Sequence, residues 1–597
     1  MWQFIRQTFA SAIGTIIGLS LFFTVGISGL IILLIAGSGG PSEPIVKDKS
    51  VLVFDLSTNI TDTEPASSFA EAFSGENTNT IPLRQLLSLL ENASQDDRIK
   101  AVLLDGRKTG MGNGYANLKE VRNALLDFKS KGKKIIAYDL DISETEYYLM
   151  SVADEIIINP LGAIALNGFA SQQMFLTGAL DKYGLGVQVV RVGNFKSAVE
   201  PFVRENFSSE NRQQTEVLLQ DIWQDYKEIV TKNRHNLTVN ALQNIVDGQG
   251  FLTAENAVKN KLVDRISYWD EVVKNLQDLT AKDQDSFNQI SIGNYRNVKK
   301  KNERFSPNKI AVVYAEGTIV NGMGNPQEVG GDRLANELRK LREDQLIKAV
   351  ILRVNSPGGS ATASEIITRE LELIKQEKPV IVSMGNVAAS GGYWLATGGD
   401  YIFAESGTIT GSIGVFGVLF NIQEIAKNNG ITWDEVKTGK FADFQTVTRP
   451  KNELELAHFQ QNVQQIYDLF LGKVAKARKL PQAKVESIAQ GRVWSGKSAL
   501  KIGLVDEIGG LNQAIALAAE KANLGDNWEV EEYPTKRTFE QEIIENLFKT
   551  SLGDYLLSNQ EIIPQELSQF KQDLMVLKTF NDPRNIYAKL VFNLPGY

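Results

Sequence analysis

Two side chains in this 597-residue chain could do nucleophilic chemistry together, Ser390 and Lys196, and they stand in different halves. Ser390 follows Val387-Ala388-Ala389 and precedes Gly391-Gly392-Tyr393-Trp394, the start of a helix-like run. Small neighbours let another backbone approach, and a helix start offers free amides and a partial positive end. Such a place suits a developing oxyanion. A second source of amides is Asn355-Ser356-Pro357-Gly358-Gly359-Ser360, where glycine lets backbone N–H groups face a reacting carbonyl. Taken alone, each motif reads equally as a strand–helix turn with packing glycines.

A serine nucleophile needs a base. The chain has no cysteine and two histidines, His235 and His458, both in polar, helix-like surroundings that place them at the surface. The remaining bases are a carboxylate or a neutral lysine. An unperturbed lysine is neutral in about one molecule in 2,500 at pH 7. Lowering its pKa by ~3 units costs ~4 kcal/mol of differential solvation, which burial can impose. Lys196 has Val192 and Phe195 before it and Pro201-Phe202 after it, a plausible apolar wall. Lys440 is the rival base, since it lies in the serine's own half.

An internal repeat joins Ser390 to Lys196. Asp97-Arg98-Ile99-Lys100-Ala101-Val102-Leu103-Leu104 returns as Asp344-Gln345-Leu346-Ile347-Lys348-Ala349-Val350-Ile351-Leu352. Ala153-Asp154-Glu155-Ile156-Ile157 returns as Gly399-Asp400-Tyr401-Ile402-Phe403, and Leu262-Val263-Asp264-Arg265-Ile266 as Leu504-Val505-Asp506-Glu507-Ile508. Repeats this long are whole domains rather than solenoid units. Aligning Tyr147-Tyr148 with Tyr393-Trp394 puts Glu144 where Ser390 stands, and the same offset lays Ala442 over Lys196. The first copy has also lost the Pro-Gly-Gly, reading Asp105-Gly106-Arg107-Lys108 there. One copy keeps the amine and the other the hydroxyl, which points to a site assembled from both.

The elements that must position these groups are legible. Val51–Phe54 matches Ile310–Val313 as an opening strand; an amphipathic helix follows (Ile81 to Asn92; Leu334 to Arg342), then a continuous apolar strand. Such alternation predicts an α/β fold with buried, largely parallel strands and βαβ crossovers. Long amphipathic helices are expected over Glu210 to Lys232 and Glu453 to Arg478, after the cap-like Ser208-Ser209 and Pro450-Lys451-Asn452. Residues 46–300 and 301–532 are then the two copies, joined by a solvated linker near Asn297 to Asn308, and 533–597 a helical tail. The two isolated glycine pairs, Gly110-Met111-Gly112 and Gly322-Met323-Gly324, read as turns rather than phosphate cradles.

Net charge is −8 with 43% hydrophobic residues, an ordinary globular balance without the basic footprint of a nucleic-acid binder. The absence of cysteine excludes thiol catalysis and argues against a His/Cys zinc site, so no metal or cofactor is expected. From Gln7 to Ser42 there is no charge, and Ile16 to Ile35 is almost continuously apolar. Twenty helical residues span ~30 Å, a bilayer core. The run exceeds a secretory h-region of ~7–15 residues, which favours a retained anchor over residues 1–45. Charges on its two flanks nearly balance and leave its orientation open.

Phe195-Lys196-Ser197-Ala198-Val199-Glu200-Pro201-Phe202, Asn355-Ser356-Pro357-Gly358-Gly359, Ala389-Ser390-Gly391-Gly392-Tyr393 and Thr410-Gly411-Ser412-Ile413-Gly414 together resemble the long, two-domain form of the signal peptide peptidase A family. Asn581-Asp582-Pro583-Arg584 followed by Tyr587-Ala588 is similar too, and the resemblance runs over essentially the whole chain. It implies two tandem domains of Clp-protease/crotonase-like fold and a membrane-bound serine endopeptidase. Ser390 would be the nucleophile, Lys196 the general base, Ser412 the hydroxyl that positions the lysine, and the amides of Gly359 and Gly391 the oxyanion hole. Phe195 stands where the family commonly has tyrosine. The resemblance further implies a homotetramer acting on signal-peptide remnants and unfolded hydrophobic peptides at a lipid bilayer. Its body would lie on the periplasmic side of an inner membrane, or at a thylakoid membrane. A membrane-anchored scaffold that binds such peptides without cutting them is the alternative; acyl-CoA chemistry would leave both the anchor and the lysine–serine asymmetry unexplained.

Overall fold

The apolar runs form two sheets of the same design. The computed structural model describes residues 44–64, 79–108, 110, 112–234, 236–282, 286–298, 306–534, 582 and 584–590, with the isolated positions 14, 15 and 18. The expected anchor lies outside the described residues except at a few positions, as does His235. No helix among the described residues is long and apolar enough to cross a membrane.

Besides a short parallel pair at Asn59–Thr61 and Thr80–Pro82, the strands of the first copy are β1 (Ser50–Asp55), β2 (Ile99–Asp105), β3 (Lys134–Ile142), β4 (Glu155–Ala165), β5 (Gly186–Val192), β6 (Phe251–Thr253), β7 (Arg265–Ile266) and β8 (Gln289–Ser291). The sheet runs β8-β1-β2-β3-β4-β6, with β7 beside β4; only β6 is antiparallel. Helices α1 (Leu83–Gln95), α2 (Tyr115–Ser130), α3 (Glu144–Met150) and α4 (Ser209–Asn233) accompany it. Leu83, Leu86, Leu87 and Leu90 recur at helical spacing on α1 and are buried. Each contributes about 1.5–3 kcal/mol relative to exposure.

The second copy repeats the plan with β9 (Lys309–Glu316), β10 (Ile319–Val320), β11 (Val329–Gly330), β12 (Ile347–Ser356), β13 (Gly358–Ser360), β14 (Val380–Ala389), β15 (Tyr401–Ala404), β16 (Ile409–Gly411), β17 (Val415–Asn421), β18 (Val493–Ser495), β19 (Glu507–Ile508) and β20 (Glu529–Tyr533). Its sheet order β20-β9-β12-β14-β16-β18 repeats that of the first copy, with the place of the single strand β4 taken by β15 and β16 and with β19 beside β15. Among its helices are α5 (Gly331–Glu343), α6 (Ala361–Ile374), α7 (Gly391–Ala396), α8 (Glu453–Arg478) and α9 (Leu511–Lys521). Both long helices start where the polar clusters predicted: Ser208 Oγ accepts from the Asn211 amide, and Asn452 and Glu455 cap each other's amides.

The duplication extends to single hydrogen bonds. Asp154 accepts from the Ile135 amide and Asp400 from that of Val380, at 2.8 and 2.9 Å. Asp264 accepts from Ile156 and Asp506 from Ile402, both at 2.8 Å. Tyr147 donates to the Leu262 carbonyl, and Tyr393 to that of Leu504. The tyrosine alignment that superimposed Glu144 on Ser390 therefore holds in space.

The halves interlock through a buried cation. Arg353 on β12 is fully enclosed and pairs with Asp62 at 2.8 Å and Glu120 at 2.9 Å, both from the first copy. It also donates to Asn117 Oδ1 and Ser383 Oγ. Burial pushes the Glu120 carboxyl up to about 7, against the pull of the Arg353 charge. Beside this contact the Asn117 amide at the start of α2 donates to Asn386 Oδ1, within β14 three residues before Ala389.

A third sheet crosses the boundary, in the order β11-β10-β13-β21-β17-β5, where β21 is Ile586–Lys589. First-copy β5 pairs antiparallel with second-copy β17 from Gly186–Asn421 to Val192–Val415. Strand β21 is Ile586–Lys589, so this stretch of the expected helical tail is a strand instead. Its side chains alternate between two apolar groups and its backbone lies between two strands, which a helix could not satisfy.

Candidate active site

Strand β14 ends at Ala389 and α7 begins at Gly391, so Ser390 occupies the turn between them. Its φ of +56° and ψ of −115° are strained for a residue with a side chain. Such strain costs on the order of 1–3 kcal/mol and holds only where surroundings enforce it. Two bonds do so: the Ser390 amide donates to the Gly411 carbonyl at 2.8 Å, and its carbonyl accepts from the Trp394 amide. Gly392 cannot be replaced, because a Cβ there would stand 2.5 Å from the Ser356 carbonyl oxygen.

Lys196 arrives from the other half. After β5 leaves β17, Gly193 turns with φ +101° and the Phe195 amide donates to the Gln490 carbonyl at 2.9 Å. Gly491 then lies so close that a Cβ on it would be 2.6 Å from Lys196 Cβ. Beneath the loop, buried Glu200 accepts from the Ser208 amide and hydroxyl and from Asn211 Nδ2. Gln214 bridges the copies, donating to the Phe195 carbonyl and accepting from the Val493 amide. Lys-Ser-Ala-Val-Glu-Pro-Phe is thus a side chain together with the scaffold that aims it.

The aim is at Ser390. Lys196 Nζ lies 2.7 Å from Ser390 Oγ, 3.0 Å from Ser412 Oγ and 3.1 Å from the Ser412 carbonyl oxygen. All three residues are buried, and no carboxylate stands among these partners. Burial alone holds the lysine well below its ordinary pKa, the state in which it accepts a proton. Ser412 sits in the left-handed region at φ +49°, its amide bonded to the Arg492 carbonyl.

The two glycine segments converge on Ser390 as well. Gly358 has φ +89°, and a Cβ on it would lie 2.5 Å from the Gly391 amide nitrogen. Gly359 lies one residue further along β13, paired with Ile319 of β10 and Ala588 of β21. The rival base, Lys440, is on the exposed stretch 431–440. His458 is exposed on α8, edge-on to Phe441.

The first copy's counterpart of this site lacks the pair. Glu144 takes the serine's place and accepts from the amides of Asn167 and Gly168. A cleft of about 340 Å³ remains, lined by Gly106, Arg107, Asp139 and Glu146 among others. There burial, helped by the Glu146 charge, pushes the Asp139 carboxyl up to about 9.

Sequence reasoning missed Gly491, Glu200 and Gln214 as supports of the lysine. One signal was available for the glycine: Gln490-Gly491 before β18 repeats Gln249-Gly250 before β6.

Comparison with known proteins places the chain. The model of peptidase family S49 matches residues 127–283 and 372–525, and the Clp protease model matches residues 303–405. The chain is a member of peptidase family S49. It is 34% identical to Protease 4 of Haemophilus influenzae over 588 residues, 94% of each chain. It is likewise 34% identical to Protease 4 of Salmonella typhi over 591 residues, covering 96% of this chain and 94% of that one. Serine protease SPPA, chloroplastic, of Arabidopsis thaliana is 34% identical over 456 residues, 74% of this chain and 66% of the relative. The chain is therefore a serine peptidase of this family, with a mixed α/β fold that carries the family region twice.

Proposed function

We propose that Ser390 is the nucleophile and Lys196 the general base of a Ser/Lys endopeptidase that degrades hydrophobic peptides, cleaved signal peptides among them. The carrying observation is the 2.7 Å approach of Lys196 Nζ to Ser390 Oγ in a buried setting built from both repeats. Neutral Lys196 takes the hydroxyl proton as Oγ bonds to the peptide carbonyl carbon. The amides of Gly359 and Gly391 stabilise the oxyanion. The carbon–nitrogen bond then breaks, and the lysine returns its proton to the leaving amine. A water, deprotonated by the same lysine, hydrolyses the acyl-enzyme. Ser412 holds the amine in place throughout.

Residues 46–300 and 301–532 are the two working units in this reading. The apolar stretch Ile16 to Ile35 anchors them to a bilayer, with the body on the periplasmic side or at a thylakoid membrane. A homotetramer belongs to this reading, and the exposed apolar side chains Ile431, Trp433, Val436 and Phe441 offer it a contact surface.

Proteolysis of a casein-type substrate tests the proposal. Wild type cleaves, and Ser390→Ala and Lys196→Ala, each folded, do not. An acylating serine probe labels Ser390 in wild type. Cleavage surviving in Lys196→Ala but lost in Lys440→Ala would overturn the assignment, and a wild type that binds peptide without cutting it would mark a scaffold.

A further inference from the structure

Helices α2 and α6 begin at matching places in the two copies, but only α6 caps itself. The offset that aligns Tyr147 with Tyr393 aligns Gly114 with Ser360. Ser360 Oγ accepts from the Ala363 amide at 3.1 Å, the ordinary solution at a helix start. Gly114 has no side chain to do this, although its φ of −69° and ψ of 142° suit any residue. What requires glycine is space. A Cβ on Gly114 would stand 2.1 Å from Asn386 Cγ, 2.2 Å from its Oδ1 and 2.4 Å from its Nδ2. Asn386 Oδ1 accepts from the Asn117 amide at 3.1 Å, so the second copy supplies the cap that the first lacks.

Asn386 belongs to β14, the strand that ends at the serine turn. From Met384 to Ala388 this strand takes four steps where β12 takes two, from Val354 to Ser356. The excess is an excursion, Gly385-Asn386-Val387, opposite Asn355. Its members are held one by one. The Gly385 carbonyl accepts from Thr408 Oγ1 at 2.8 Å, and the Val387 amide donates to Asn355 Oδ1 at 3.2 Å. Both of those partners are second-copy residues, whereas the partner of Asn386 comes from the first copy. Asp62 of the first copy also stands close, since a Cβ on Gly385 would lie 3.0 Å from its carboxylate. Beyond the excursion Ala388 and Ala389 pair with Thr410 and Gly411, and Ser390 follows. The first copy, which has lost the serine, carries Leu140 at the place of Asn386, exposed.

We propose that Asn386 is a positioning residue. By capping α2 across the boundary it sets the path of β14 into Ser390, so the serine reaches attacking geometry only with the lysine-bearing copy docked. This rests on Ser390 and Lys196 being the catalytic pair. A contact that served stability alone would be met as well by a hydroxyl at position 114, as Ser360 does for α6. The cap supplied in trans does what a local cap cannot: it ties α2 to the strand that feeds the nucleophile. Arg353 reinforces the tie at the root of the excursion, donating to the Met384 carbonyl at 3.3 Å while it pairs with Asp62 and Glu120.

The test uses the full-length protein in detergent with a fluorogenic peptide substrate. Asn386→Ala lowers kcat about tenfold with KM little changed, the effect of moving a reacting group by a fraction of the ~1 Å that costs about 100-fold. Asn386→Asp keeps an acceptor for the Asn117 amide, at a helix start that favours negative charge, and retains most of the wild-type kcat. The deciding variant combines Asn386→Ala with Gly114→Ser. It removes the three atoms that stand in the way and lets the new hydroxyl cap α2 within its own copy. Thermal stability then returns toward the wild-type value, whereas kcat stays at the level of Asn386→Ala. Recovery of kcat together with stability overturns the proposal, as does a wild-type kcat in folded Asn386→Ala. The double variant decides the matter alone if the single one does not fold. If Ser390→Ala is inactive while the double variant cleaves as wild type does, only this inference falls; if Ser390→Ala still cleaves, the proposed mechanism falls with it.

Discussion

Lys196 Nζ and Ser390 Oγ lie 2.7 Å apart although 194 residues separate them in the chain. The approach depends on the lysine loop threading against Gln490 and Gly491 of the other repeat, and on a serine held at positive φ. Each of those dependencies has a measurable consequence.

As the proposed general base, the lysine gives the reaction its pH dependence. Burial lowers its pKa well below 10.5, so it is protonated and inert as a base only on the acid side of that lowered value. The expected kcat/KM rises with pH through that value and levels off before pH 10.5. Between the lowered pKa and 10.5 the unfolded chain binds the proton that the folded one does not, so this group's contribution to stability rises with pH across the window. Thermal unfolding of wild type and Lys196→Met over this range should show that slope in wild type alone.

Ser412→Ala removes one of the contacts of Nζ and leaves the carbonyl contact at 3.1 Å. One hydrogen bond to a buried polar group is worth about 1–1.5 kcal/mol. Steady-state assays should show kcat reduced about tenfold with KM little changed. A drop as deep as that of Lys196→Ala would make Ser412 a direct participant in proton transfer.

Gly491→Ala should inactivate from a distance. The new methyl would stand 2.6 Å from Lys196 Cβ, at a backbone φ of +78°. A shift of the lysine by ~1 Å costs on the order of 100-fold in rate. The expected result is a folded protein, by circular dichroism, with activity down by about that factor.

Arg353→Met leaves Asp62 and Glu120 buried without their cation. Breaking one side of a buried ion cluster destabilises by about 3–5 kcal/mol. Limited proteolysis should then cut between the repeats at lower temperature than in wild type. Restoring balance by adding Asp62→Asn and Glu120→Gln should recover part of the loss.

Much of this architecture was readable before any coordinates. Buried parallel strands announce themselves as continuous apolar runs, and the repeat made each half a control for the other. That comparison drew attention to Glu144 against Ser390 and Ala442 against Lys196. The interlock was not readable, because Asp62, Glu120 and Arg353 look like ordinary charges among many until the fold excludes water from them. Nor was the strand at Ile586–Lys589. Four residues carry too little periodicity to separate strand from helix, and what fixes them is hydrogen bonding to β13 and β17, remote in sequence. Gly491 was masked by its repeat: a Gln-Gly pair in both copies reads as a turn, whereas one of the two glycines is there to make room for a lysine.

With Ser390 and Lys196 as the proposed catalytic pair, the partition of amine and hydroxyl between the repeats also sets when the enzyme can begin to cut. A ribosome emits the lysine-bearing half first, and that half folds with a glutamate where the serine would be. The alcohol emerges some two hundred residues later and meets its partner only when the later half docks. Nascent and half-made chains are thereby harmless to their neighbours.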